Sequence, residues 1–143
     1  MAKHEVNTVW VGKMAFDSHL GNHTVHIDTL PEAGDDSGPG PKSLLLTAVT
    51  GCTGMDLAAL LPKMRVPFDR LRISAEAELT DEHPKVYKSI HLRYYISGPD
   101  IREDKVREAI TLSQDKYCGV SAMLKAHCPI TWELVVELRS LGV

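Results

Sequence analysis

Residues 41–64, PKSLLLTAVTGCTGMDLAALLPKM, form the most apolar stretch of the chain and the one around which its fold is predicted. Asp56 is the only charged residue within residues 44–61, so the stretch has no extended polar face. A helix that is apolar on nearly all sides is typical of a protein core. The preceding glycines and prolines of residues 38–41 prevent a helix from beginning earlier, and a proline suits the first helical turn. The stretch therefore predicts a long, buried central helix with Cys52 near its middle.

This helix is not predicted to cross a membrane. Its apolar part is only about 18 residues long, is interrupted by Gly51 and Gly54 and contains Asp56, whereas a spanning helix needs about 20 apolar residues. The first residues of the chain lack the apolar segment and cleavage signature of a secretion signal. We therefore expect a cytoplasmic protein with no membrane partner.

The composition is ordinary for a soluble globular protein. A chain of 143 residues with 43% hydrophobic residues is long enough for one domain, residues 1–143, with a core of its own. A net charge of -3 provides no electrostatic reason to expect nucleic acid as a partner. Three irregularly spaced cysteines do not form a secreted disulfide framework. In a reducing cytoplasm, thiols that pair are more often catalytic than structural.

The remaining chain predicts strands on both sides of the central helix. Alternating apolar residues indicate a three-stranded antiparallel meander before it and a long hairpin after it. Helical periodicity begins near Asp100, and a short second helix and a last strand follow. The central helix is expected to kink or end near Leu61, before Pro62. The other predicted ranges are 5–30 for the meander, 30–41 for the connecting loop, 71–79 and 86–96 for the hairpin strands, 100–117 and 120–126 for the later helices, and 130–138 for the last strand. The order βββ-α-ββ-αα-β indicates an α+β fold with an antiparallel sheet.

Two cysteines lie at positions that suit chemical reactivity. Cys52 lies between Gly51 and Gly54 on the central helix, and these glycines allow another backbone or a substrate to approach closely. Cys118 lies at a junction between helices, close to a helix start that favours a thiolate. The alternative for each is a small buried apolar residue, which is the usual role of a free cysteine.

Other residues offer weaker evidence of a site. Asp56 follows Cys52 by one helical turn and shares its face, where a hydrogen-bonded structural group is the favoured interpretation. The chain has no Cys-x-x-Cys pair, and His127 is adjacent to Cys128 rather than at a ligand spacing, so no metal site is expected. No glycine-rich phosphate loop follows a predicted strand, and no cofactor is expected.

Two segments resemble the family of osmotically inducible protein C and the organic hydroperoxide resistance proteins, the OsmC/Ohr family. They are GPGPKSLLLTAVTGCTGMD at residues 38–56 and KYCGVS at residues 116–121. The resemblance extends over nearly the whole order of elements. It implies an OsmC-like fold with the antiparallel sheet wrapped around the long central helix, and an intertwined homodimer in which each active site uses both subunits. It also implies cysteine-based peroxide reduction, with Cys52 as the peroxidatic thiol and Cys118 as the resolving thiol.

The chain departs from the strongly active members of that family at two positions. These members carry an arginine on an N-terminal strand and a glutamate ten residues before the first cysteine. This chain has no arginine before Arg65, and the glutamate position is Lys42. The resemblance is therefore to the broader OsmC-like subgroup. Lys42 could supply positive charge to a substrate, but a solvated lysine at a helix start is the favoured interpretation.

These observations predict a thiol peroxidase of the oxidative stress response. Cys52 would form a sulfenic acid, Cys118 would convert it to a disulfide, and an external dithiol would reduce that disulfide. Lys42, Met55 and Asp56 are the expected substrate-binding residues, and the apolar surface contributed by Met55 and Leu44–Leu46 favours an organic hydroperoxide. One alternative is a dimeric binding or sensing module for a small apolar or thiol-reactive ligand. Another is a structural dimer with inert thiols.

Overall fold

The computed structural model describes residues 2–138 of the chain. Its internal contacts divide the chain into two compact units, Met1–Leu45 and Leu46–Val143, with the boundary inside the first turns of the long helix.

The first unit contains the predicted antiparallel meander. Strand β1 (Val6–Gly12) pairs with β2 (Ala15–Leu20), and β2 pairs with β3 (His23–Ile27), all antiparallel. The turn between β2 and β3 begins at Gly21, whose φ of 58° lies in the left-handed region that glycine adopts without strain. The three strands thus follow the alternation and the turn signal of the sequence.

The loop that follows β3 is held in place by one buried carboxylate. Asp28 accepts hydrogen bonds from the backbone N–H of Thr29 (2.7 Å) and from both the N–H (3.0 Å) and the hydroxyl (2.6 Å) of Ser37. These donors favour the ionised form and lower the pKa of Asp28 to about 2. The loop is therefore an ordered connector that leads into the long helix.

The long helix, α1, spans Pro41–Lys63. It continues past the expected end at Leu61 and includes Pro62, because its last carbonyls are satisfied by a C-terminal cap. Arg65 has a positive φ of 62°, its N–H donates to Pro62 O (3.0 Å), and the N–H of the buried Val66 donates to Leu61 O (2.9 Å). This is the Schellman arrangement.

Only one face of α1 is buried within the chain, contrary to the expectation of a helix buried on all sides. Val49, Thr53, Leu57 and Leu61 recur every fourth residue and are fully buried, whereas Met55 is 76% exposed. The 23 residues of α1 are also long and apolar enough for a membrane span, so the argument from length was wrong. The apolar residues of the buried stripe belong to the core of the second unit.

The second unit contains a mixed sheet. Strand β4 (Arg70–Leu79) and β5 (Tyr87–Ser97) form the predicted antiparallel hairpin, but β6 (Ile130–Val136) runs parallel to β5. The prediction of a purely antiparallel sheet was therefore wrong for β6. Residues 98–129, which contain two helices, provide the long crossover that a parallel pair requires.

A π-helical turn interrupts the helical region of this crossover. Helix α2 spans Glu103–Leu112, the π-helical turn spans Ser113–Tyr117, and helix α3 spans Gly119–Lys125. The expected helix to Tyr117 is thus α-helical only to Leu112. The N–H of Cys118 donates to Ser113 O at 2.7 Å, a bond over five residues.

Candidate active site

The two predicted reactive cysteines lie together in the second unit, although they are 66 positions apart in sequence. One sulfur or oxygen atom from each of Cys52, Asp56 and Cys118 lies within 4.8 Å of the other two. All the cysteines are free thiols; Cys52 is half-buried, and Cys118 is only 3% exposed. This geometry places an accessible thiol beside a protected one, which suits a redox pair.

The π-helical turn determines that Cys118 takes part in this cluster. In a continuous α-helix of 3.6 residues per turn, Tyr117 would follow the buried Ser113 on the inward face. The extra residue in the π-helical turn shifts the face by one position. Tyr117 is consequently 50% exposed, and Cys118 is buried. Such turns often occur at functional sites.

A chain of buried hydrogen bonds ends at Asp56. Thr53 Oγ1 lies 2.7 Å from both Tyr94 Oη and Ser113 Oγ, and Ser113 donates to Asp56 Oδ2 at 2.9 Å. Gln114 Nε2 donates to Tyr94 Oη at 3.0 Å. Each group in the series can therefore donate to the next, from Gln114 through Tyr94, Thr53 and Ser113 to the carboxylate. Hydrogen bonds in such a chain strengthen one another. This series of hydrogen bonds fixes Asp56 beside the two sulfur atoms.

Burial and hydrogen bonding affect the ionisation of the buried groups. Desolvation raises the pKa of Cys118, an effect that the hydroxyl and N–H of Ser121 partly oppose and the hydrogen bond with Cys52 reinforces. The N–H of Ser121 lies 3.4 Å from Cys118 Sγ. Burial likewise raises the pKa of Tyr94 to about 12, although its hydrogen bonds to Thr53 and Gln114 act in the opposite direction. Cys118 and Tyr94 thus keep their protons at neutral pH.

The three expected substrate-binding residues have different positions. Asp56 belongs to the cluster. Met55 lines an open groove of about 400 Å³ whose other lining residues are Thr50, Gly51, Gly54, Ala58, Leu71 and Ile73. Lys42 is exposed in the first turn of α1 and belongs to the first unit. Within the second unit, the structure thus brings Asp56 to the thiols, whereas the role of Lys42 in the first unit stays a prediction.

Met55 connects the groove to the thiols. It follows Cys52 by three residues on α1, a spacing that makes the two side chains neighbours on the helix surface. Gly54 allows β4 to lie close to the helix, since a Cβ atom at this position would be 3.2 Å from Ile73 Cδ1. An apolar surface therefore begins directly beside Cys52.

The third cysteine belongs to the apolar core. Cys128 is 6% exposed and packs among the buried residues of the second unit. Its neighbour His127 contacts Tyr87 O through Nε2 at 3.0 Å. Cys128 therefore has the role of a small buried apolar residue.

Sequence reasoning missed the polar residues that support the cluster: Thr53, Tyr94, Ser113, Gln114 and Ser121. Thr53 and Ser113 do occupy positions with the spacing of buried apolar residues on their helices. A polar residue at such a position is a recognisable signal for a buried hydrogen bond. Their partners depend on the tertiary structure.

Known proteins resemble this chain in sequence and fold. The sequence model of a family described as OsmC-like protein matches residues 34–133. Protein YhfA of Escherichia coli K12 is 31% identical over 96 residues, which are 67% of this chain and 72% of YhfA. A hypothetical protein from Aquifex aeolicus VF5 superposes with a TM-score of 0.87 at 26% identity, covering 98% of this chain and 100% of that chain.

A solved structure with a functional name shares the fold. It is an organic hydroperoxide resistance protein OsmC from Legionella pneumophila, with a TM-score of 0.72 and 11% sequence identity. The match covers 95% of this chain and 98% of that chain. At this level of identity, the likeness extends to the architecture alone.

Proposed function

This chain belongs to the OsmC-like protein family, and we propose that it reduces organic hydroperoxides with Cys52 and Cys118 as its redox pair. The observation that carries this proposal is the proximity of two free thiols, one half-buried and one buried, beside a fixed carboxylate. The Legionella protein, which shares the fold, is named for organic hydroperoxide resistance.

Cys52 is the thiol that meets the peroxide, because its sulfur is the more accessible of the two. Its thiolate attacks the distal oxygen of ROOH, the O–O bond breaks, and the alcohol ROH leaves with a proton. The product is a sulfenic acid on Cys52. Cys118 keeps its proton at neutral pH because burial raises its pKa, so its S–H group is a hydrogen-bond donor to the Cys52 thiolate.

Cys118 then resolves the sulfenic acid. Its sulfur attacks Cys52, the S–O bond breaks, and the hydroxyl group leaves as water with the proton of the Cys118 thiol. The two thiols have supplied the two electrons that reduced the peroxide, and they are now joined in a Cys52–Cys118 disulfide. An external dithiol restores both thiols by exchange. The proposed reaction needs no metal or organic cofactor.

The groove beside Met55 provides the substrate preference. Its walls are formed by apolar side chains, two glycines and Thr50, and it begins one turn from Cys52. An alkyl or aryl tail on the peroxide would bury apolar surface there, whereas hydrogen peroxide would not. The proposal is therefore specific for organic hydroperoxides, in a reducing cytoplasm that keeps the thiols free.

We also propose that the chain functions as a homodimer. Large apolar residues remain exposed on the single chain in both units, including Trp10 (61%), Leu45 (45%) and Met55 (76%). Exposed apolar surface of this kind typically marks an interaction site. A second copy of the chain is the partner that a symmetric homodimer would provide.

The test is the consumption of cumene or tert-butyl hydroperoxide in the presence of dithiothreitol. We expect turnover by the wild-type protein and none by Cys52→Ser. Without dithiothreitol, one equivalent of hydroperoxide should leave a dimedone-reactive sulfenic acid on Cys118→Ser. Cys128→Ala is the matched control, because this thiol lies in the core, and its turnover should equal that of the wild type.

The same assay separates the alternative of a sensing module. The open groove beside Met55 favours this alternative, since it could hold a small apolar ligand without turnover. A sensor would lose two hydrogens in mass on oxidation but would not turn over. If neither turnover nor the disulfide appears, the thiols are inert and the proposed function is wrong.

A further inference from the structure

We propose that Cys52, Asp56 and Cys118 also bind a thiophilic divalent cation of the zinc class, which holds the thiol pair in its reduced form until an oxidant arrives. Two thiolates and a carboxylate are ligands that zinc accepts. One donor atom of each residue lies within 4.8 Å of the other two. Around a tetrahedral zinc ion, with its usual bond lengths, such donors are about 3.6–3.8 Å apart. Small side-chain rotations are enough to close the site.

Two of the ligands lie on α1 and the third caps the start of α3, which reduces the cost of assembling them. Cys52 and Asp56 are separated by one turn of α1, so both face the same side. Cys118 is positioned by the hydrogen bond of its N–H to Ser113 O (2.7 Å). The same residue, Ser113, donates its hydroxyl to Asp56 Oδ2 (2.9 Å) and leaves Oδ1 for a metal. Outer contacts of this kind orient metal ligands.

The surroundings of Ser121 provide an independent indication. Its hydroxyl is fully buried and, apart from its interaction with the Cys118 sulfur, has no hydrogen-bond partner among residues 2–138. A buried donor without a good acceptor destabilises a protein. A metal-bound thiolate on Cys118 would be a strong acceptor for both this hydroxyl and the Ser121 N–H, which already lies 3.4 Å from the sulfur.

The described residues place three donor groups in this cluster, so the fourth position of a tetrahedral ion would be open. Cys52 is half-buried, and its exposed side gives a metal ion a path of entry. Water or a small thiol could occupy the open position. The site therefore has the ligand number of an exchangeable metal site rather than of a closed structural one.

Metal binding and disulfide formation exclude each other, because both use the same two sulfur atoms. Oxidation of the metal-bound pair by a hydroperoxide consumes two protons and produces the disulfide, the free divalent cation, the alcohol ROH and water. This release step rests on the proposed function, whereas binding to the reduced thiols does not. The cation would thus hold the pair in reserve until an oxidant arrives.

The experiment titrates the reduced, metal-free protein with Cd²⁺ and records the ultraviolet thiolate-to-cadmium charge-transfer band. Zn²⁺ affinity is then measured by competition with a chromophoric chelator. We expect one ion per chain with the band intensity of two thiolates. Cys52→Ser and Cys118→Ser should each lose this intensity, Asp56→Asn should weaken Zn²⁺ binding by about 10- to 100-fold, and Cys128→Ala should match the wild type.

Several results would overturn the proposal. These are the absence of stoichiometric Cd²⁺ binding, a two-thiolate band that survives Cys52→Ser, or a band that is lost in Cys128→Ala. Diamide oxidation of the zinc-loaded protein should release the ion, and retention would contradict the shared sulfur atoms. Release by diamide but not by cumene hydroperoxide would support the metal site and contradict the proposed peroxidase function.

Discussion

The sulfur of Cys118 is surrounded by groups that oppose its ionisation. The largest effect on its pKa is burial, and the neighbouring Cys52 raises the pKa further, while Ser121 acts in the opposite direction. Cys52 itself is accessible. Two thiols of identical chemistry thus receive different environments, and the environments suit the different roles of attacking and resolving thiols.

This difference predicts the order in which the thiols are alkylated. At neutral pH, iodoacetamide should modify Cys52 before Cys118, because the raised pKa leaves little Cys118 thiolate. In Cys52→Ser the interaction that raises this pKa is removed, so the alkylation midpoint of Cys118 should move to lower pH. Mass spectrometry of peptides alkylated across a pH series measures both effects. An unchanged or higher midpoint in Cys52→Ser would contradict the assignment.

Asp28 predicts a pH dependence in the first unit. Its pKa is lowered from 3.8 to about 2, chiefly by the hydroxyl of Ser37. A carboxyl group with a lowered pKa in the folded state stabilises the protein above pH 4 and loses this contribution as the pH falls through about 2. In Ser37→Ala the Asp28 titration, followed by NMR, should move upward toward 3.8.

The control for this titration is Ser43→Ala, because the Ser43 hydroxyl donates to Gly40 O and not to Asp28. Its Asp28 midpoint should equal that of the wild type. Acid unfolding of Ser37→Ala should also begin at a higher pH than in the wild type. Equal midpoints in the two serine variants would show that the Ser37 hydroxyl does not determine the acidity of Asp28.

At the scale of elements, three segments of the second unit meet through the buried hydrogen-bond chain. Thr53 on α1 contacts Tyr94 on β5 and Ser113 of the π-helical turn. The apolar stripe of α1 could have been inferred from periodicity, and Thr53 lies within it. The π-helical turn could not have been inferred in this way, because one extra residue leaves the hydrophobic period of so short a helical segment nearly unchanged.

Replacement of Thr53 tests how much the buried hydrogen bonds contribute to the free energy of unfolding. Thr53→Val preserves the shape but removes the hydrogen bonds that the buried Tyr94 and Ser113 hydroxyls make with Thr53, which should destabilise the fold by about 1–3 kcal/mol. Denaturant unfolding measures the change. Thr50→Val is the matched control, since the Thr50 hydroxyl bonds only carbonyls of its own helix. Similar stability of the two variants would contradict a cooperative network.

At the scale of the whole molecule, the exposed apolar residues of the single chain are the feature that needs an explanation. Four residues of β1 (Val6, Val9, Trp10 and Val11) and two of α1 (Leu45 and Met55) are large, apolar and more than 40% exposed. The indole N–H of Trp10 donates to Lys13 O at 2.7 Å, which holds the ring in an ordered position. Ordered aromatic and apolar side chains of this kind are typical of an interface.

The proposed homodimer predicts a specific effect of one substitution. Met55→Glu places a charge in the apolar surface of α1 and should raise the dimer dissociation constant at least tenfold. Met123→Glu is the control, because Met123 is similarly exposed (70%) but lies on α3. Sedimentation velocity over a concentration series measures both. A monomeric wild-type protein, or equal weakening by both substitutions, would contradict the proposed interface.

By itself, the sequence was enough to predict the element order, the approximate extent of the strands, and Cys52 and Cys118 as candidates for a reactive pair. These features depend on local periodicity, on turn residues and on short motifs, all of which are encoded by residues close together in sequence. The family resemblance came from two short segments, and the family itself is shown by the match over residues 34–133.

Only the tertiary structure decided the direction of β6, the one-sided burial of α1 and the partners of the thiols. Strand direction depends on how a crossover packs, and a hydrophobic pattern is the same for a parallel and an antiparallel neighbour. The contacts among Thr53, Tyr94 and Ser113 join residues as far as 60 positions apart. Such contacts form only when the chain closes on itself, and this is why the acidity of Cys118 and the position of Asp56 could not be inferred from the residues next to them.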